Sequence, residues 1–317
     1  MVDQEFDIVG IGNAIVDVIT DVDEDFLNQK ELRKGLMSLV DLDSIKSLSK
    51  EIEIKANVSG GSVANSIVAL AQNNVNTAFI GKVGEDEVGN AFIKGLEKEK
   101  VIFANTAQSD ESETGRCLVM VTPDAQRTMS TYLGISQKLN ANDINKEVIS
   151  RSKITYLEGY LWDLDDAQEA IKKAIQIAKD AEKIVAFSVS DVFCIERFRK
   201  SFLDLVNDEA NIIFANEEEI KSLYQKDNLE DCLESIKQQD KIFAITLGDK
   251  GAMIINKEEV IHIKAQKIEK LVDTTGAGDL FAAGFLLGYI KGKNLEYCGN
   301  EGVKFASKII QIYGARL

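Results

Sequence analysis

Residues 273–279 read Asp-Thr-Thr-Gly-Ala-Gly-Asp and run straight into the apolar stretch Leu280–Ile290. A polar, glycine-rich turn that opens an apolar helix can hold an anion. Gly276, Ala277 and Gly278 carry almost no side chain, so their backbone N–H groups can approach a phosphate closely. The helix behind them adds the positive end of its dipole. Asp279 falls in the first turn, where that field favours the ionised carboxylate. With a reference pKa near ~3.9, an aspartate accepts a proton at neutral pH. Phosphoryl transfer to a hydroxyl needs both parts: a cradle for the moving group and a base for the proton. A capped helix start with incidental glycines would read the same way.

Two further segments have ligand chemistry. Ser59–Ser66 reads SGGSVANS and opens another small-residue helix. Gly60 and Gly61 let a ligand approach the backbone, and Asn65 can hydrogen-bond a ligand hydroxyl. Gly10–Asp17 reads GIGNAIVD, a strand ending in a glycine turn, and the Asp17 carboxylate can accept from two hydroxyls. Glycine pairs before helices are common, so neither segment decides function alone. Arg127 follows the turn Thr122-Pro123-Asp124-Ala125 between two strand-like runs. A cation at such a tip either sits solvated on the surface or closes over an active site, where its planar fork can bind phosphate oxygens.

The remaining composition excludes more than it assigns. The net charge is −15, which disfavours nucleic acid and anionic membranes as partners. Cys117, Cys194, Cys232 and Cys298 are widely spaced, with no C-x-x-C pair, which argues against a disulfide framework or a zinc site and for a reducing compartment. The start MVDQEFDIVGIG has no basic leader region, and no apolar run is long enough to span a membrane, so a cytoplasmic protein is expected. The single histidine, His262, lies between Ile261 and Ile263 and reads as an ordinary strand residue. A Ser-His-Asp hydrolase would depend on it alone. There is no G-x-x-x-x-G-K-[ST] loop, no protein-kinase H-R-D or D-F-G motif, and GIGNAI lacks the last glycine of a dinucleotide-binding fingerprint.

The elements that must position these residues alternate. Strand-like runs fall at 6–11, 77–80, 154–156, 184–189, 212–214 and 242–247; helices are expected at 62–72, 90–98 and 167–181. Such alternation predicts an α/β fold with a mostly parallel central sheet flanked by helices. The irregular segments at about 17–40 and 114–134 break the rhythm. They are expected to form a small β-rich lid inserted into one domain over 1–317.

Together the three motifs resemble the ribokinase (PfkB) family of small-molecule kinases. DTTGAGD resembles its C-terminal signature, and GIGNAIVD, SGGSVANS and the GKVGEDEVG at 81–89 resemble its N-terminal one. Asn216-Glu217-Glu218-Glu219 resembles its N-x-x-E motif, and Thr246–Gly251 its T-L-G-x-x-G turn. The resemblance runs from Phe6 to Arg316 and is strongest to the adenosine-kinase-like branch, on GNAIVDV, FANEEE and RTMSTYLGIS. It implies a three-layer ribokinase-like sandwich that uses ATP with Mg²⁺, and K⁺ in some members, as a monomer or homodimer. It implies Asp279 as base, Gly276–Gly278 as anion hole, and Asp17, Gly61 and Asn65 as ligands of sugar hydroxyls. Asn216 and Glu219 would hold Mg²⁺-ATP through water, although NEEEI also reads as a solvated helix start. Thr246, Gly248 and Gly251 would line the nucleotide cleft, Asp273 would sit near a monovalent cation, and Arg127 would act as a lid arginine. The expected acceptor is a ribonucleoside such as adenosine. A sugar is the alternative, and a non-catalytic nucleoside sensor on the same fold is the rival class.

Overall fold

The computed structural model describes residues 5–109, 112–124 and 126–317. Residues 1–4 of the start MVDQEFDIVGIG and Ala125 of the expected hairpin turn lie outside the described residues.

Short apolar runs such as IIFA and IFAI need cover on both faces, which favours a central sheet between helical layers. The strands are β1 (Phe6–Ile11), β2 (Ile15–Asp21), β3 (Met37–Leu39), β4 (Ala56–Gly60), β5 (Thr77–Ile80), β6 (Ile102–Phe103) and β7 (Thr114–Val121). They continue as β8 (Arg127–Gly134), β9 (Ser152–Glu158), β10 (Ile184–Ser188), β11 (Ile212–Asn216), β12 (Ile242–Thr246), β13 (Ala252–Ile255) and β14 (Val260–Ile263). A nine-stranded sheet has the order β14-β13-β12-β11-β10-β9-β1-β5-β6. Pairings from β12 across to β6 are parallel, and β13 and β14 close one edge antiparallel. His262 stands exposed on that edge strand.

Successive residues of a strand point to opposite faces, so each strand feeds two cores. On β11, Ile212 and Phe214 join one buried cluster, while Ile213 and Ala215 join the other. Helices Ser62–Gln72, Ala277–Ile290 and Leu295–Ile309 cover the first face; Asp165–Asp180, Val192–Asp204 and Glu217–Tyr224 cover the second. Helix Ala277–Ile290 is apolar all round and buried from Leu280 to Gly288. Its neighbour approaches so closely that a Cβ on Gly284 would meet the Glu301 carbonyl at 2.4 Å.

A five-stranded sheet, β3-β8-β7-β2-β4, stands apart. It contains strands from both irregular segments, and it also recruits β4, a strand the sequence reading did not assign. Three residues separate β1 from β2, and β4 enters helix Ser62–Gln72 through Gly61 at φ +101°. One face of this sheet (Val16, Val18, Leu118, Met120) packs into the core of the first.

Phe92 on helix Glu87–Lys98 packs between Phe79 and Phe103, with ring centroids 5.8 and 6.0 Å away, and its carbonyl accepts from Ser59 Oγ on β4. Phe92→Ala should therefore cost about 3–5 kcal/mol of stability. Urea denaturation measures it, and a loss below about 1 kcal/mol would show that this edge of the sheet does not depend on the ring.

Candidate active site

A cleft of about 500 Å³ opens at the carboxyl ends of the parallel strands. Asn13 after β1, Glu158 on β9, Ser188 on β10, Asn216 on β11 and Thr246 on β12 all line it. From β1 the chain first adds β5 on one side and later β9 on the other, so the cleft includes the point where the winding reverses. Open α/β sheets bind ligands there. The second sheet supplies one wall, through Ile15 and Asp17 of β2, Cys117 of β7 and Met129, Thr131 and Leu133 of β8.

The glycine turn forms the opposite rim. Gly276 has φ +75°, and a Cβ on it would lie 2.7 Å from the Ala315 side chain, so only glycine fits. Gly278 is different: a Cβ there would meet no atom within 4 Å. Packing does not require glycine at that position, and open space remains for a ligand against the helix start. Asp279 follows in the first turn.

Two helix N-termini meet around the Asp279 carboxylate. Ser62 Oγ donates to Oδ1 at 2.6 Å, Asn65 Nδ2 donates to Oδ2 at 3.0 Å, and Ser66 Oγ donates to the Asp279 carbonyl at 2.8 Å. The sequence placed Asp279 in a field that keeps it ionised at its ordinary pKa. Burial outweighs that field and pushes the carboxyl up to about 6, with the bonds from Asn65 and Ser62 opposing the shift. Asn65, expected to meet ligand hydroxyls, lines the cleft, and its amide is the middle of a chain, donating to Asp279 and accepting from Arg316 Nε at 3.2 Å.

Asp17 faces the same cleft, and burial pushes it up to about 6 against the pull of Arg316 and Arg127. Gly60 does not serve ligand approach: a Cβ there would lie 2.6 Å from the Asp17 carboxylate, so glycine makes room for that side chain. At Gly61 a Cβ would strike the Asn13 carbonyl at 2.2 Å, which explains the glycine by backbone packing, although the residue does line the cleft.

Asn216 and Glu219 form a closed capping box. Asn216 N and Nδ2 donate to the Glu219 carboxylate at 2.8 and 2.6 Å, and Glu219 N donates back at 2.9 Å. The solvated reading of this helix start fails, because Glu219 is buried; burial pushes it up to about 7, and the negative charge of Asp191 adds to that. Among the described residues no group of three His, Cys, Asp or Glu side chains is placed to hold a metal ion. A Mg²⁺ carried in by nucleotide phosphates needs only one or two protein carboxylates. Glu219, buried and paired with no basic side chain among the described residues, fits that limited role.

Thr246 lines the cleft. Gly251 has φ +99° and would place a Cβ 2.1 Å from the Ile263 carbonyl, so it serves the β12–β13 turn; Gly248, at φ +62°, faces open space.

Arg127 and Asp273 correct the sequence reading most. Arg127 is not a solvated cation at a tip: it is the first residue of β8, and its side chain is 7% exposed. Its guanidinium lies 2.8 Å from Asp273 Oδ2, and the same carboxylate accepts from Thr275 N and Gly314 N at 3.0 Å each. A fixed guanidinium thus stands against Asp273, near which the family resemblance implies a monovalent cation. The pair fastens the second sheet to the glycine turn.

Sequence reasoning missed Ser62, Glu158 and Arg316 as site residues. Glu158 accepts from Asn13 N, Asn13 Nδ2 and Val63 N at 2.9, 3.0 and 2.9 Å, joining the loop after β1 to the helix that carries Ser62 and Asn65. Burial pushes it up to about 7. The available signal was a lone carboxylate closing the apolar run ITYL. Ser62 lay inside the SGGS motif, whereas nothing around Arg316 marked it.

A family model described as pfkB family carbohydrate kinase matches residues 39–317. The crystal structure of adenosine kinase from Sinorhizobium meliloti matches with a TM-score of 0.92 and 36% identity, covering 99% of this chain and 96% of that one. A probable sugar kinase from Rhizobium etli CFN 42 gives 0.91 and 38%, over 98% and 95% of the two chains. The adenosine kinase of Saccharomyces cerevisiae is 28% identical over 330 residues, 97% of this chain and 95% of that protein.

Four cleft carboxyls are held above their ordinary range, Asp17 and Asp279 at about 6, Glu158 and Glu219 at about 7. Unfolded carboxylates titrate near ~4, so from about pH 4 to 7 the folded chain binds more protons than the unfolded one. Stability should be greatest at the acid end of that window and fall as pH rises through it. Urea midpoints at about pH 5 and pH 8 test this, and a midpoint that rises between them would contradict the cause assigned to these shifts.

Proposed function

The chain belongs to the pfkB family of carbohydrate kinases, and on that premise we propose that it transfers the γ-phosphate of ATP to a hydroxyl of a ribonucleoside, adenosine first, with Asp279 as general base. The observation that carries this reading is the placement of Asp279: a carboxylate oriented by Ser62 and Asn65, at the foot of a glycine turn, in the cleft that Asp17 also faces.

The acceptor lies between Asp17 and Asp279, with Asp17 accepting from its hydroxyls. Asp279 removes the proton as the acceptor oxygen forms its bond to the γ-phosphorus. The bond from that phosphorus to the β–γ bridging oxygen breaks, and ADP leaves with the electron pair. Backbone N–H groups of the Gly276–Gly278 turn and the dipole behind them stabilise charge on the moving group. Asn216 and Glu219 are the residues that would hold a nucleotide-borne Mg²⁺, which would supply further charge neutralisation. The second sheet serves as the lid that excludes water, and Arg127 acts as a positioning residue through Asp273.

The wall of the cleft favours a nucleoside over a plain sugar. Ile15, Met37, Leu39, Cys117, Met129 and Leu133 line it, and Met37 and Leu39 are 44% and 51% exposed. A purine has two apolar faces to lay against such a surface, whereas a sugar would leave it in contact with water.

Asp279→Asn should keep ATP binding and the melting temperature while kcat falls ~10²–10⁴-fold. For the wild type, kcat/KM should fall about tenfold per pH unit below about 6, because only the ionised base accepts the proton. Near wild-type kcat in the variant would remove Asp279 from the mechanism. A coupled ADP-release screen across nucleosides and sugars should find turnover with adenosine or a close relative. Robust turnover of ribose or fructose with no nucleoside activity would overturn the acceptor assignment and leave the kinase.

A further inference from the structure

The cleft is electrostatically hostile to the nucleotide it should bind. Six carboxylates line it, Asp17, Glu158, Asp163, Asp191, Glu219 and Asp279. Among the described residues Arg197 is the one basic side chain that lines it. Arg127 is buried against Asp273, and Arg316 donates to Asn65 from outside the lining. A triphosphate entering this space meets like charge from most of the acidic lining. The N–H groups of one glycine turn offset part of that repulsion, and their effect fades within about a turn of the helix end.

We propose that Arg197 is the side chain that binds the polyphosphate of the nucleotide, a role the sequence reading gave to Arg127. The proposal rests on the kinase reading and adds a specificity-determining residue to it.

The local structure prepares this cation. Helix Val192–Asp204 starts just beyond β10, beside the strand that ends in Asn216, and brings Arg197 to the cleft in its second turn. The guanidinium lies over the Phe193 ring at 4.0 Å and 5.1 Å from the Phe198 centroid. Nη2 lies 2.7 Å from Asp163 Oδ1, and Nε donates to the Phe193 carbonyl at 3.4 Å. One edge of the fork is thus fixed by a carboxylate and a carbonyl, and one face is covered by aromatic rings. The side chain keeps 35% exposure, so its remaining donors stay accessible to a ligand. A planar, weakly hydrated cation held this way loses little entropy when it takes a phosphate. Phe193 is 56% exposed, and stacking under Arg197 gives that exposed aromatic a purpose.

The experiment titrates ATP, ADP and AMP into the full chain by calorimetry, for the wild type, Arg197→Ala and Arg197→Lys. Kinetics with the best acceptor run in parallel. Loss of a charged hydrogen-bonding partner typically weakens binding ~10–100-fold. ATP and ADP should weaken by that factor in Arg197→Ala, while AMP and the acceptor KM stay within ~3-fold. Arg197→Lys should recover only part, because an ammonium cannot reproduce the fork. Equal weakening of ATP and AMP would overturn the proposal, since it would mean that Arg197 shapes the cleft without reading the polyphosphate. Unchanged ATP affinity in both variants would overturn it as well. A wild type that binds ATP but phosphorylates no acceptor would sink the kinase reading, and the ATP-to-AMP ratio would still decide the role of Arg197.

Discussion

The Asp279 carboxylate between two helix N-termini is the contact on which the rest of the site depends. Ser62 and Asn65 come from one helix, the glycine turn opens the other, and each carboxylate oxygen receives one donor. Withdrawing a carboxylate from water is unfavourable, and here burial is the largest influence on its titration. The two donors and the more distant Arg316 offset only part of that penalty. What remains is a base poised near neutrality rather than a fully stabilised anion. The proposed role of general base fits that condition, because a pKa near the working pH combines availability with basicity.

Everything nearby serves to hold that geometry. Glu158 ties the loop after β1 to the helix bearing Ser62, so β9, that loop and that helix share one buried carboxylate. Arg127 and Asp273 tie β8 to the start of the glycine turn. Gly60, Gly61 and Gly276 are glycines because a Cβ at each would collide with Asp17, Asn13 or Ala315. These close contacts concentrate negative charge in one cleft. The fold tolerates the repulsion because the large parallel sheet and its two cores supply the stability. Sites built this way trade stability for function.

The chemistry of the cleft is divided along its length. Towards the second sheet the wall is apolar with Asp17 set into it, which suits a base and a sugar. Towards β10, β11 and β12 it offers Arg197, Asn216 and Glu219, which suits phosphates and their metal.

The sequence by itself determined the parts whose cause is local. Apolar runs such as 242–247 and the helix at 167–181 follow from periodicity, because burial on two faces or on one leaves a direct pattern in the residues. The glycine turn with Asp279 was legible for the same reason: a glycine-rich helix start is written in consecutive residues. The tertiary structure decided what depends on residues far apart in the chain. Asn65 and Asp279 are 214 positions apart, so no local pattern says that one amide serves the other. Arg127, expected either solvated at a hairpin tip or closing over the site as a lid arginine, is a buried fastener on Asp273, because β8 docks against a segment almost 150 residues later. Burial also reversed the expected ease of ionising Asp279, since desolvation is a property of the assembled cleft and not of the turn. Gly60 looked like a ligand contact and proved to be space for Asp17, because close approach between strands is fixed only when β2 and β4 pair.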